Sequence, residues 1–159
     1  MNYLILEVIA MNNDLEFLNF ISKNSEMGFS SIKDLIDEVD DEEFRKILKK
    51  QQEKYEEIYN EASELIDNYD EEQKGVTGME KFTSYIMIKM NLLTDKSINH
   101  IAEMMIKGSN MGIIDIRKKL NTYNDIDKKV NKLGEKLLET EENNIEELKP
   151  FLKEKNSEK

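Results

Sequence analysis

Cysteine is absent from this chain of 159 residues, which therefore has no disulfide framework, no thiolate zinc site and no cysteine nucleophile. Histidine occurs once, at His100, so any site that needs two imidazoles from one chain is excluded. We expect His100 to be a surface or helix-capping residue. One proline and six glycines argue against a β-sandwich, because the many turns of that fold need more of both.

Positive charge is also scarce, since 34 acidic residues outnumber 23 basic ones and the formal net charge is −11. Nucleic acids and anionic membrane surfaces both repel such a chain, so we expect neither as a partner. No apolar run approaches the ~20 residues that a membrane-spanning helix needs. The length and the 38% hydrophobic content predict one cytoplasmic domain with a real core.

The first ten residues, MNYLILEVIA, form a short apolar run directly before Met11. They contain no lysine or arginine and are too short for a signal peptide. One hypothesis is a translated leader ahead of a start at Met11, since residues 6–9 can be encoded by a purine-rich string of the ribosome-binding type. The alternative is a loosely docked N-terminal extension. We expect residues 11–153 to form one four-helix-bundle domain and residues 154–159 a disordered charged tail.

Apolar residues recur along the chain at spacings of three and four, which is typical of amphipathic helices. They predict four long helices over about 14–39, 42–69, 98–123 and 126–151, and a short one over 80–93. The expected N-terminal caps are Asp40 or Asp41 for the second long helix, Ser97 or Asp95 for the third, and Asn124 or Asp125 for the fourth.

Short links at 40–41 and 124–125 predict two antiparallel helical hairpins. The connection between the hairpins, 70–96, is long and carries the short extra helix. Two hairpins joined by one long crossover are typical of ferritin-like four-helix bundles rather than of simple up-down-up-down bundles. The predicted fold class is therefore all-α and ferritin-like.

Polar residues interrupt all four apolar stripes near their midpoints. A polar group buried without a partner costs roughly 1–3 kcal/mol, so a shared layer must be mutually hydrogen-bonded or hold something. The predicted members of this layer are Ser25, Glu26, Gln52, Tyr55, Ser109, Glu141 and Asn144.

Residues 138–148, LETEENNIEEL, resemble the fourth-helix signature of ferritin-like di-iron proteins, an acidic Glu-x-x-His followed by an aliphatic residue and a leucine. Gln52-Glu53-Lys54-Tyr55 stands at the equivalent place on the second helix, and Glu26 at the first-helix glutamate position. The resemblance to bacterioferritins and rubrerythrins implies a ferritin-like bundle over about 13–152.

The chain departs from this family at the metal ligands. Asn144 stands in place of the fourth-helix histidine, Tyr55 in place of the second-helix histidine, and Gln52 in place of its glutamate. Only Glu26 and Glu141 match carboxylate ligands, and two carboxylates without imidazole do not support oxygen activation at two irons. We therefore expect no ferroxidase centre and no cofactor.

Three interpretations of Glu141 stay open at this stage. It is a buried carboxylate in a structural network with Tyr55, Gln52 and Asn144, or a ligand of a single metal together with Glu26, or a solvated residue if the helical phase is shifted. Gly108 and Gly112 form a small-xxx-small pair that predicts close helix packing.

Several apolar residues point away from the predicted core and favour a protein partner or a second subunit. They are Phe20 and Met27 on the first helix and Met87, Met104 and Met111 further along. We expect a non-catalytic protein that acts by binding or assembly, with a homodimer as one form. The alternatives are a degenerate metal-binding or metal-oxidising protein using Glu26 and Glu141, and a methionine-rich adaptor for a partner helix.

Overall fold

The computed structural model describes residues 2–69 and 93–153. This part of the chain contains no strand, which confirms the all-α class. Of the predicted short helix over 80–93, only Leu93 is described, and it is not helical; the tail over 154–159 also lies outside the described residues. The helices are α1 (Tyr3–Ile36), α2 (Glu42–Ile66), α3 (Ile98–Thr122) and α4 (Lys128–Leu148), and a 3-10 turn over Lys149–Phe151 follows α4.

Side-chain caps begin three of these helices. Asp41 accepts a hydrogen bond from Phe44 N at 2.8 Å and Ser97 accepts one from His100 N at 3.2 Å, so both predicted caps are confirmed. The prediction for α4 is wrong, because its cap is Asp127, which accepts from Lys129 N at 2.7 Å.

The cap of α4 is displaced by a contact with another helix. Asp14 of α1 accepts a hydrogen bond from the backbone N–H of Asp127 at 2.8 Å, and the backbone of Asp127 itself is not helical. Several acceptors stand near the start of α4 in sequence, and the contact with α1 decides which of them becomes the cap.

One hydrophobic core draws on all four helices. Helix α1 packs on α2 and α3 packs on α4, while α4 also contacts both α1 and α2. Burying one large aliphatic side chain contributes about 1.5–3 kcal/mol, so this core is the main source of stability. Its fully buried members include Leu18, Ile21, Leu48, Ile58, Ile101, Ile116, Leu137 and Leu148.

The predicted partner face on α1 is not exposed at Phe20. This ring is buried, and the ammonium group of Lys119 lies 5.1 Å from its centroid. Met27 is half-buried, whereas Met111 on α3 is exposed. The sequence pattern did not indicate this burial, because Lys119 near the end of α3 covers Phe20 on a side of α1 that lies away from its apolar stripe.

Helix α1 begins at Tyr3 rather than at the predicted residue 14, so residues 3–10 are part of it. Their side chains are exposed up to Ile9, and the first buried residue of the helix is Asp14. Among the helices in the described ranges, none combines the length and apolarity required to cross a membrane.

Candidate functional site

A buried carboxyl group on α4 receives a hydrogen bond from another helix. The phenolic O–H of Tyr55 on α2 donates to Glu141 Oε2 on α4 at 2.7 Å. Ser109 on α3 lies within hydrogen-bonding reach of both groups. Glu141 is only 2% exposed. We call Tyr55, Ser109, Glu141 and the neighbouring amides of Gln51 and Asn144 the polar cluster.

Burial governs the protonation of the polar cluster. It raises the pKa of Glu141 to about 7, although the hydrogen bonds from Ser109 and Tyr55 act in the opposite direction. Burial, and then the charge of Glu141, raise the pKa of Tyr55 well above its ordinary value. The phenol therefore stays protonated as a donor, while the carboxyl titrates near neutral pH.

The two amides border this pair and are incompletely satisfied. Gln51 Nε2 donates to the backbone oxygen of Asn144 at 3.4 Å and to Glu147 Oε2 at 3.3 Å, both long for N–H···O bonds. Gln51 Oε1 and Asn144 Nδ2 are buried and have no hydrogen-bond partner within the described structure. The side chain of Asn144 nevertheless faces Tyr55 closely enough to oppose the rise in its pKa.

The structure brings together four of the predicted layer residues, which are Tyr55, Ser109, Glu141 and Asn144. It replaces Gln52 by Gln51, because Gln52 is only half-buried while Gln51 is 1% exposed. Gln51 precedes Tyr55 by four residues and so shares its face of α2. The four-residue spacing was the signal available in the sequence.

The two α1 residues predicted for the layer form their hydrogen bonds outside the polar cluster. Glu26 lies at the surface, where its 40% exposed side chain pairs with Lys23 at 3.0 Å. Ser25 is buried, but its hydroxyl donates to Ile21 O of its own helix at 2.8 Å. The predicted metal pair of Glu26 and Glu141 is therefore wrong, since one carboxylate is solvated and the other is enclosed.

Helix α1 contacts the polar cluster at Gly28, a residue that the sequence pattern did not predict for the site. A Cβ atom added at Gly28 would lie 2.7 Å from Tyr55 Cγ, so only glycine lets the ring approach so closely. Gly28 lies seven residues after Ile21 and four before Ile32, on the core stripe, and this spacing was a usable signal.

The prediction of close packing at Gly108 is wrong, and the structure places close approach at another glycine. A Cβ at Gly108 would meet no atom of the described residues within 4 Å. Gly112 is buried in α3. A Cβ at Gly134 would lie 2.5 Å from Phe17 Cζ, so α1 and α4 approach closely there.

A surface groove of about 430 Å³ runs between α2 and α4 beside the polar cluster. Gln51 and Asn144 are among the residues that line it, together with three lysines. All three lysines are paired with carboxylates. Lys50 pairs with Glu147, Lys54 with Glu57 at 3.4 Å and Lys136 with Glu61 at 2.5 Å. These ion pairs neutralise much of the positive charge along the groove.

The polar cluster does not fit a di-iron centre. Such a centre needs a glutamate from each of two helices and Glu-x-x-His from each of the other two. The cluster offers one carboxyl group and no imidazole, and that carboxyl already accepts from Tyr55. Across residues 2–69 and 93–153, no group of three or more histidine, aspartate or glutamate side chains is arranged to hold a metal ion. No family model, curated protein or solved structure matches this chain.

Proposed function

We propose that this protein is a ferritin-like antiparallel bundle in which a hydrogen-bonded polar cluster replaces the di-iron centre, and that it acts by binding or assembly rather than by catalysis. The main support for the proposal is the hydrogen bonding of Glu141. The buried carboxyl of Glu141 accepts a hydrogen bond from Tyr55 on α2, and the hydroxyl group of Ser109 on α3 also lowers its pKa.

The order of contacts between α2 and α4 supports the antiparallel arrangement. Lys50 pairs with Glu147, Tyr55 with Glu141, and Glu61 with Lys136. Residue numbers therefore rise along α2 as they fall along α4. The long stretch between α2 and α3 supports the ferritin-like crossover, because it is the one connection long enough to run the length of a helix.

A cluster of this kind gives the helices a fixed register. Sliding α2 along α4 would leave Glu141 buried without its donor, at a cost of roughly 1–3 kcal/mol. The cluster thus serves to hold one arrangement of the helices, as buried polar groups do in other bundles. The outer surface of the bundle is then left for partners.

Metal retention tests this proposal. The purified chain is loaded anaerobically with Fe(II), Mn(II) and Zn(II), desalted and analysed for metal, beside E141Q and the exposed control E139Q. We expect metal far below one ion per chain in all three proteins. About one ion per chain that is kept by E139Q and lost in E141Q would overturn the proposal and favour a metal-binding function.

A second candidate, the adaptor for a partner helix, is favoured by one feature of α3. Met111 is 41% exposed and Ile114, one turn later, is 54% exposed. Adjacent apolar side chains on an outer helix face form the kind of anchor that an amphipathic helix uses. Cross-linking from position 110 to a partner in cell extract, abolished by M111E, would support this candidate over the first.

A further inference from the structure

The exposed apolar surface of this protein is concentrated at the start of α1. Of the nine large apolar side chains that are exposed in the described residues, six lie within residues 3–9. Their exposed fractions run from 45% to 79%. They are Tyr3, Leu4, Ile5, Leu6, Val8 and Ile9.

These side chains surround the helix instead of forming one stripe. Successive residues turn by about 100°, so the six cover every side and only Glu7 interrupts them. A helix that is apolar all round is normally buried. Because the first buried residue of α1 is Asp14, the bundle itself does not cover this segment.

The exposed area is large enough to form an interface. The six side chains together expose roughly 600 Å² per chain, which is at the upper limit for an apolar patch on a monomer. If two copies covered each other's segments, the buried area would be about 1,200 Å², the lower limit for a stable protein interface.

The distribution of charge favours a second copy of this chain as the partner that covers the apolar segment. The whole chain carries a net charge of −11, so two copies repel each other across most of their surfaces. Residues 3–13 contain one charged residue, Glu7. Two copies therefore meet with the least repulsion at this segment, and an apolar surface without a charge pattern is complementary to itself.

We propose that residues 3–10 form a self-association site, in which the apolar segment of each chain is buried against a second copy of the same chain. This inference rests on the proposed function, because it names the partner in assembly. The two proposals are tested independently, because the molecular mass in solution does not depend on whether Glu141 binds metal.

Light scattering on the full chain, from about 1 to about 100 µM, tests the site. At the highest concentration we expect a mass of at least twice the 18.7 kDa of one chain. L4K combined with V8K changes two exposed residues on one face of the segment, and we expect it to weaken association at least about tenfold. Lysine reduces the net negative charge of the chain, so the loss cannot come from greater repulsion between the two chains as wholes.

M111K combined with I114K is the matched control, because it changes two exposed apolar residues of α3. We expect this control to associate like the wild type, and circular dichroism to show unchanged helix content in both variants. A monomeric wild-type chain at the highest concentration would overturn the proposal. Equal weakening by the control would also overturn it, as would a native chain found by N-terminal sequencing to begin at Met11.

Discussion

Glu141 is stabilised in its ionised form by hydroxyl groups and not by a cation. Tyr55 donates to it at 2.7 Å and Ser109 lies within reach, and no lysine or arginine is among the groups that shift its pKa. Hydrogen bonds alone offset only part of the cost of burying a carboxylate. The proton therefore stays on this residue at a pH where a solvated glutamate has lost it.

This residue makes the stability of the protein depend on pH. The pKa of Glu141 rises from 4.5 to about 7 on folding, so the folded state binds the proton more tightly between these values. The stabilising contribution of Glu141 to the free energy of unfolding is fully present below pH 4.5 and is lost as the pH rises through about 7. The total loss is about 3 kcal/mol.

We expect E141Q, which is neutral at every pH, to lose this dependence. Urea unfolding at about pH 5 and about pH 8 measures it, with the exposed E139Q as the control. E139Q is expected to follow the wild type at both values. An identical slope for E141Q and the wild type would mean that the carboxyl of Glu141 is solvated.

Two glycines with opposite surroundings give a second prediction. We expect G28A to destabilise the fold by about 1–3 kcal/mol, because the new Cβ meets the Tyr55 ring at 2.7 Å. G108A has open space around it and gains helix propensity, so it is expected to stabilise by up to about 1 kcal/mol. Denaturant midpoints compare the two, and equal effects would contradict the close approach at Gly28.

At the scale of helices, side chains of one element determine where another begins. Asp14 on α1 accepts a hydrogen bond from the backbone N–H of Asp127 at the start of α4. Burial raises the pKa of Asp14. Glu16, also on α1, accepts from the Tyr123 hydroxyl at the end of α3 at 2.5 Å. Helix α1 thus anchors both sides of the link between α3 and α4.

The cap of α4 can be tested by alanine substitution. D127A removes the acceptor for Lys129 N, and we expect it to lower the free energy of unfolding by about 1 kcal/mol. D125A changes an exposed residue that precedes the cap and is expected to stay within about 0.5 kcal/mol of the wild type. Thermal unfolding distinguishes them, and a larger loss in D125A would restore the cap predicted from the sequence.

At the scale of the whole molecule, residues 3–9 lie outside the buried core. The first buried side chain of α1 is Asp14, so a chain that begins at Met11 keeps every buried residue of this helix. We expect a chain beginning at Met11 to unfold within about 1 kcal/mol of the full chain at about 1 µM, where association contributes little. A loss of several kcal/mol would show that the segment packs on the bundle.

Much of the architecture could be predicted from local patterns. Apolar spacing predicted the four long helices, and the acceptor residues Asp41 and Ser97 predicted two of their starts. Apolar spacing and capping residues are properties of a few neighbouring residues, so they can be recognised without a structure. The first turns of α1 were not predicted, because a segment that is apolar all round shows no stripe.

The polar cluster was only partly predictable. Tyr55, Ser109, Glu141 and Asn144 lie on the core stripes of their own helices, so periodicity alone indicated that they are buried. A helix turns by about 100° at each residue, and a small error in phase therefore moves a side chain to another face. This sensitivity explains why the sequence pattern predicts Gln52 in the layer, whereas the structure has Gln51 there.

The helical class and the inward faces of α2, α3 and α4 thus follow from residue order, because a stripe of apolar side chains must be buried. The tertiary structure alone placed Glu26 in solvent, put Gly28 beneath the Tyr55 ring and left Glu141 with hydroxyl donors in place of a second carboxylate. Each of these depends on how far one helix is rotated and shifted against another, and that is decided by packing between residues distant in sequence.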